Sequence, residues 1–150
     1  LDLQAEILLR IILAFFAGIL LGAEREKRHK PAGLRTHALV CMGTALFTVI
    51  SAYGFEQFAG LPPYGNMDPT RIAAQIVTGV GFIGGGIIFK EKNRVSGLTT
   101  AASIWLTAGV GTGIGAGMYL PMLLAAGLAI ITLRLDRLIK RLGLETDDNE

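Results

Sequence analysis

Five stretches of this chain are nearly free of charge, and the charged residues gather between them. The apolar stretches run from about residues 7–23, 36–54, 72–89, 98–115 and 118–135. Each approaches the roughly 17–25 residues that an α-helix needs to cross a hydrocarbon layer. The last two are separated only by residues 115–121, where Pro121 suits the first turn of a new helix. A tight helical hairpin is therefore expected there, not one long helix. The pattern predicts an all-α, polytopic membrane helix bundle of about five transmembrane helices.

The placement of Lys and Arg orients the bundle. Arg25, Lys27, Arg28, Lys30 and Arg35 lie in the first connection, and Lys90, Lys92 and Arg94 in the third. Arg134, Arg137, Lys140 and Arg141 follow the fifth stretch. An odd number of spans puts these twelve of the 14 basic residues on one side, which the positive-inside rule makes cytoplasmic. The other side carries Asp2, Glu6, Glu56 and Asp68, with only Arg10 and Arg71 nearby. The N-terminus is thus expected outside and the C-terminus in the cytoplasm. Residues 1–135 read as the transmembrane domain and 136–150 as a short cytoplasmic tail, acidic and frayed at its end. Between the second and third stretches, Gly60, Pro62, Pro63, Gly65 and Asn66 supply turn chemistry, and Asp68-Pro69 reads as a helix N-cap followed by a first-turn proline.

Composition agrees. Hydrophobic residues make up 51% of the 150-residue chain and charged residues only 17%, against about a quarter in soluble domains. The net charge of +2 is explained by residues flanking spans, so nucleic acid is not an expected partner. The lone Cys41 sits inside an apolar run and can form no intramolecular disulfide. The first apolar run has acidic residues before it and basic ones after it, the reverse of a cleavable signal peptide.

Glycine is concentrated in the third and fourth stretches. Gly81 and Gly85 are four apart, as are Gly109, Gly113 and Gly117, and Gly18 and Gly22 in the first. Such spacing lets another helix approach closely. The same glycines, with Gly84 and Gly97, could instead mark a broken helix that frees carbonyls for an ion or solute. The run Gly79-x-Gly81-x-x-Gly84 matches a dinucleotide-binding fingerprint, but it lies inside an apolar span instead of after a strand, and is discarded.

Polar residues near the membrane need partners. A pair between Glu24 and Arg35 would brace the first two helices; the alternative is that these side chains snorkel into the headgroups. Arg10 is expected to meet Glu6, one turn earlier, and Arg71 to meet Asp68. Gln75, Thr78, Thr99, Thr100, Ser103 and Thr107 can hydrogen-bond between helices, and Trp105 reads as packed on a glycine face. His29 and His37 fall in or beside the basic connection with no metal-ligand spacing. No nucleophile has a base, and no acid lies mid-span. The sequence therefore indicates no catalytic residue, no metal ligand and no cofactor.

Three blocks resemble the MgtC/SapB family. They are Glu24-Arg-Glu26 with Pro31-Ala-Gly-Leu-Arg-Thr-His-Ala-Leu-Val40; Asp68-Pro-Thr-Arg-Ile-Ala-Ala-Gln75 running into Gly79-Val-Gly-Phe-Ile-Gly-Gly-Gly86; and Asn93-x-x-x-Gly97-Leu-Thr-Thr-Ala-Ala-Ser103-Ile-Trp105. The resemblance implies a bacterial inner-membrane protein linked to magnesium homeostasis, stress adaptation or virulence. It implies action by restraining the ATP synthase or contacting other membrane proteins. It marks Glu24, Arg25, Arg35, Thr36, Asp68, Arg71, Asn93, Gly97 and Thr99 as the signature positions. Two features depart from the virulence-associated members. Those usually continue into a soluble C-terminal domain, and some carry Cys where Leu106 follows Trp105 here.

Two functions from different classes follow. One is a regulator that binds inner-membrane proteins through glycine-rich helix faces, surrounded by membrane lipids. The other is a small channel or transporter for Mg²⁺ or another solute. A homodimer fits either.

Overall fold

A computed structural model describes residues 2–60, 68–91 and 94–141. It contains five helices: α1 (Leu3–Lys27), α2 (Leu34–Tyr53), α3 (Arg71–Ile87), α4 (Leu98–Gly115) and α5 (Tyr119–Arg141). Each expected apolar stretch is one helix, and α4 begins and ends where the sequence placed it. Two of them, α1 and the segment Leu34–Phe58, are long and apolar enough to cross a membrane, while α3 and Tyr119–Leu135 are shorter apolar helices. The turn residues Pro62, Pro63, Gly65 and Asn66 and the signature residue Asn93 lie outside the described residues, as do Lys92 and the tail beyond Arg141.

One element went unforeseen. The basic third connection forms a small antiparallel hairpin, β1 (Phe89–Glu91) with β2 (Arg94–Ser96), in which Lys90 pairs with Val95. Phe89 and Val95 are strand-forming residue types.

Helix α2 is central. It packs on α1, α3 and α4, while α5 leans on α4 and α1. The core is built mostly from small residues. One cluster holds Ala14, Leu21, Cys41, Ala45, Val110 and Ile114. A second joins Ile76 and Val80 of α3 to Ile104 and Ala108 of α4. Small side chains bring backbones close, which maximises dispersion contacts between helices.

Several polar residues are buried beside the apolar core, while many large apolar residues are exposed. Arg10, Glu24, Arg25, His37, Thr44, Thr48, Thr100, Ser103 and Thr107 are buried, while Phe16, Phe82, Leu120, Leu123 and Leu124 are exposed. Trp105 joins the latter group. It is exposed and does not pack on a glycine face, because the inward face of α4 is already filled at contact distance by α2.

The hairpin between α4 and α5 is made by Gly117, whose φ of 81° is left-handed. The Gly117 N–H donates to the Ile114 carbonyl (2.9 Å) and the Met118 N–H to the Gly113 carbonyl (2.8 Å), a Schellman closure that ends α4.

Candidate functional site

The strongest concentration of buried polarity lies where α1 ends and α2 and α4 begin. The last turns of α1 bring Glu24, Arg25 and Arg28 to one region. Glu24 and Arg25 are only 4% and 3% exposed. The Arg28 Nε lies 2.7 Å from Glu24 Oε1, one turn away on the same helix. This overturns the expected Glu24–Arg35 brace. Arg35 is exposed, since the register of α2 turns it outward, and Thr36 is half-buried. Arg28 reaches Glu24 without crossing a helix interface. The second carboxylate oxygen of Glu24 is buried and accepts no hydrogen bond among the described residues, so the cluster retains capacity for one more donor.

Arg25 reaches across to α4, where its Nη2 donates to Thr100 Oγ1 at 2.5 Å. Glu26 serves the start of α2 by accepting the Leu34 N–H at 3.0 Å, an acid at a helix N-terminus where the dipole favours it. The signature run Glu24-Arg25-Glu26 thus has three separate tasks: an ion pair, a bond to α4 and a cap for α2.

His37 is the residue that the sequence reading missed. It is completely buried. Its Nδ1 lies 2.9 Å from the Gly33 carbonyl and its Nε2 3.2 Å from Ser103 Oγ. A carbonyl only accepts, so Nδ1 carries the hydrogen, an assignment made from the network. In the neutral ring Nε2 then needs a donor, and Ser103 is the available one. Yet Ser103 Oγ also stands 2.8 Å from the Thr100 carbonyl. One hydroxyl hydrogen has two acceptors, so the network can rearrange by rotation of one bond. The only hint in the sequence was His37 four residues after Gly33 at a helix start. Thr107 continues the row by donating to the Ser103 carbonyl at 2.7 Å.

His37, Ser103 and Thr107 line a groove of about 400 Å³ between α4 and α5, together with Thr99, Leu128 and Ala129. Its wall is mainly apolar and its polar groups are hydroxyls and one imidazole. Among the described residues no group of three or more His, Cys, Asp and Glu side chains could hold a metal ion.

The opposite end is organised differently. Arg10 is buried and pairs with Glu6. It also donates to the Gly115 carbonyl at 2.8 Å and to the Tyr53 hydroxyl at 3.4 Å, with its guanidinium 5.8 Å from the Tyr53 ring centre. A cation at the C-terminus of α4 meets the negative end of its dipole. Asp68 does not cap α3, which starts later, at Arg71. Its carboxylate accepts the Thr70 hydroxyl (2.7 Å) and N–H (2.8 Å), and these bonds hold it below the usual carboxylate range. Among the described residues Arg71 forms no ion pair with it. The cap comes instead from Ser51 of α2, whose Oγ accepts the N–H groups of Ile72 (3.1 Å) and Ala73 (3.3 Å) and donates to the Pro69 carbonyl (2.7 Å).

The glycines divide by what a side chain would strike. At Gly18 a Cβ would stand 2.7 Å from the Ala38 Cα, and at Gly22 2.6 Å from the Leu34 Cα, so α1 and α2 approach at van der Waals contact. The α2–α4 approach uses Gly111, against Cys41 and Thr44, and Gly115, 2.7 Å from the Ala45 carbonyl. The four-apart set expected in α4 therefore does not act as one face. Gly109 meets nothing within 4 Å, Gly113 faces Met122 of α5, and Gly117 makes the turn. Gly84 rests against Ala101 at 3.6 Å, and Gly97 turns the chain with φ 86° against the Ile87 carbonyl. Gly81 and Gly85 meet nothing within 4 Å.

Comparison with known proteins adds the following. The model of the MgtC family matches residues 11–142. The chain is 54% identical over 117 residues to the putative magnesium transporter YhiD of Escherichia coli K12, covering 78% of this chain and 54% of that protein. It is 50% identical over 105 residues to the protein MgtC of Brucella abortus, covering 70% and 40% respectively. A Haemophilus influenzae protein is 38% identical over 133 residues, covering 88% and 56%. The chain therefore spans about half the length of these relatives. No solved structure matches it.

Proposed function

The chain belongs to the MgtC family, and from that premise we propose that it is an inner-membrane protein of magnesium homeostasis that acts by binding and restraining other membrane proteins. All five helices cross the bilayer in this reading, with the N-terminus outside and the basic connections in the cytoplasm. The many exposed large apolar residues support it, as does the basic bias of the first and third connections. The ATP synthase is one partner of the kind the family resemblance implies. The protein is no enzyme in this reading.

The observation that carries regulation over transport is the continuity of α3 and α4. Both run unbroken from Arg71 to Ile87 and from Leu98 to Gly115. Unbroken helices keep their carbonyls in their own ladders and leave none to replace an ion's hydration shell. Gly111 and Gly115 of α4 meet α2, and Gly113 meets α5, at contact distance.

Transport is the second reading. It is favoured by the buried row of Thr44, Thr48, Ser103 and Thr107 beside His37, and by the name of the E. coli relative, a putative magnesium transporter. Reconstitution separates the two. Sealed proteoliposomes carrying the purified chain and an entrapped Mg²⁺ dye should leak Mg²⁺ no faster than protein-free vesicles. A saturable, Mg²⁺-selective flux would overturn the regulatory reading.

A further inference from the structure

Helices α4 and α5 meet at their hairpin and part beyond it. Next to the hairpin, Met122 of α5 is seated on Gly113 of α4. Further along they leave a gap, although Ala102, Ser103, Ala125 and Ala129 on its walls are small enough to let backbones touch. The groove of about 400 Å³ described above is that gap. On α5 it runs from Ala125 to Leu133, about 12 Å at the helical rise of about 1.5 Å per residue. The Met122–Gly113 contact closes its outer end. Its other end reaches Leu21, Thr99 and Leu133, where α1 and α5 finish and α4 starts.

We propose that this groove holds one acyl chain of an anionic phospholipid whose headgroup lies at the cytoplasmic surface. The inference rests on the membrane reading given above. Three observations select the occupant. The first is polarity. The Ser103 hydroxyl is engaged with the Thr100 carbonyl and His37. Thr107 and Thr132 donate to the Ser103 and Leu128 carbonyls of their own helices. None of these three hydrogens is left for a polar ligand. A bridging water needs about 2–4 polar partners, whereas a hydrocarbon chain needs none. The second is width. About 400 Å³ over about 12 Å leaves a cross-section of roughly 30 Å². A helix is about 10–12 Å across with its side chains and needs roughly 80 Å² or more. A partner helix therefore cannot enter, and a single hydrocarbon chain can. The chain supplies the dispersion contacts that the small walls leave unmade. The third is charge. The cytoplasmic segments 24–35 and 89–96 carry eight Lys and Arg against three Glu. Arg25 stands one turn beyond Leu21 on the same face of α1 and joins α4 at Thr100, next to Thr99 at the open end of the groove. Basic sites between spans on the cytoplasmic side favour anionic headgroups.

The test uses the full chain in vesicles of phosphatidylethanolamine and phosphatidylglycerol. A trace of the phosphatidylglycerol carries a diazirine midway along one acyl chain, and after illumination the labelled residues are mapped by mass spectrometry. Label on Leu106, Thr107 and Ala125 should exceed that on Leu124 and Ile131 by roughly tenfold. Leu124 and Ile131 are exposed on α5 outside the groove and report ordinary contact with the bilayer. A phosphatidylcholine probe with the same chain should label the groove about fivefold less. Ala102→Phe, at an exposed position on the groove wall, places a ring in the slot. It should abolish the excess while label on Leu124 and Ile131 stays. Even label over groove and surface overturns the proposal, as does equal label from the choline lipid or an excess that survives Ala102→Phe. Extraction of the chain from membranes by carbonate would instead sink the membrane reading. Even label in a chain that resists carbonate sinks this proposal alone.

Discussion

Replacing Gly18 by alanine tests the packing of the bundle directly. The added Cβ would stand 2.7 Å from the Ala38 Cα and 2.9 Å from the Cys41 Cβ. Carbon atoms rest at about 3.5–4.0 Å, so α1 and α2 must separate by roughly 1 Å. The struck atoms include backbone, which cannot swing aside. Overpacking of this kind costs about 1–3 kcal/mol. Gly109→Ala is the matched control, because its Cβ meets nothing within 4 Å. Both substitutions gain the same helix propensity, so their difference isolates the clash. With about 2–4 °C per kcal/mol for chains of this size, the Gly18→Ala protein should melt roughly 2–12 °C below the Gly109→Ala protein. The assay is built into the chain. Cys41 is its one cysteine and is 0% exposed, so a thiol-reactive fluorogen in detergent reports unfolding. Equal melting temperatures, or a lower one for Gly109→Ala, would refute the argument that α1 and α2 touch through glycine.

Two further predictions use the same melt. Glu24→Gln removes the charge that Arg28 meets at 2.7 Å and should destabilise by about 3 kcal/mol, the low end of the range for breaking buried pairs, because Arg28 keeps 15% exposure. Arg35→Gln should cost less than about 0.5 kcal/mol as an exposed substitution, and the reverse order would place the partner of Glu24 on α2. Arg10→Leu removes a charge-assisted bond to the Gly115 carbonyl and should cost about 1.5–3 kcal/mol. Faster amide exchange at Gly117 and Met118 should accompany it, and exchange unchanged there would show that the Schellman closure holds without Arg10.

The glycine pattern shows where reading the chain stops. Four-residue spacing marked Gly18 and Gly22 as a place where another helix approaches closely, and the structure shows that helix to be α2. The same spacing in α4 selected Gly109, Gly113 and Gly117, but the contacts with α2 are made by Gly111 and Gly115. Glycines at every second position offer a helix several equivalent faces, and only the partner's position chooses among them. Arg28 was likewise equivalent to Arg35 as a partner for Glu24 until the register of α2 turned Arg35 outward. Ser51 could not be identified as the cap of α3 because it lies on another helix, 21 residues before the amide at Ile72.

The sequence by itself determined the five helices and where they break. Length, apolarity and flanking charge are local properties, and each is present in the stretch that forms the helix. It also determined the family, through three blocks of contiguous residues. The tertiary structure alone decided direction. Helices α2 and α4 are apolar nearly all round, so no stripe tells which side turns inward. Burial of His37 against Ser103, exposure of Trp105, and exposure of Gln75 and Thr78 on α3 all depend on which helix stands opposite. That choice is made by backbones meeting at van der Waals contact, and no single segment contains it.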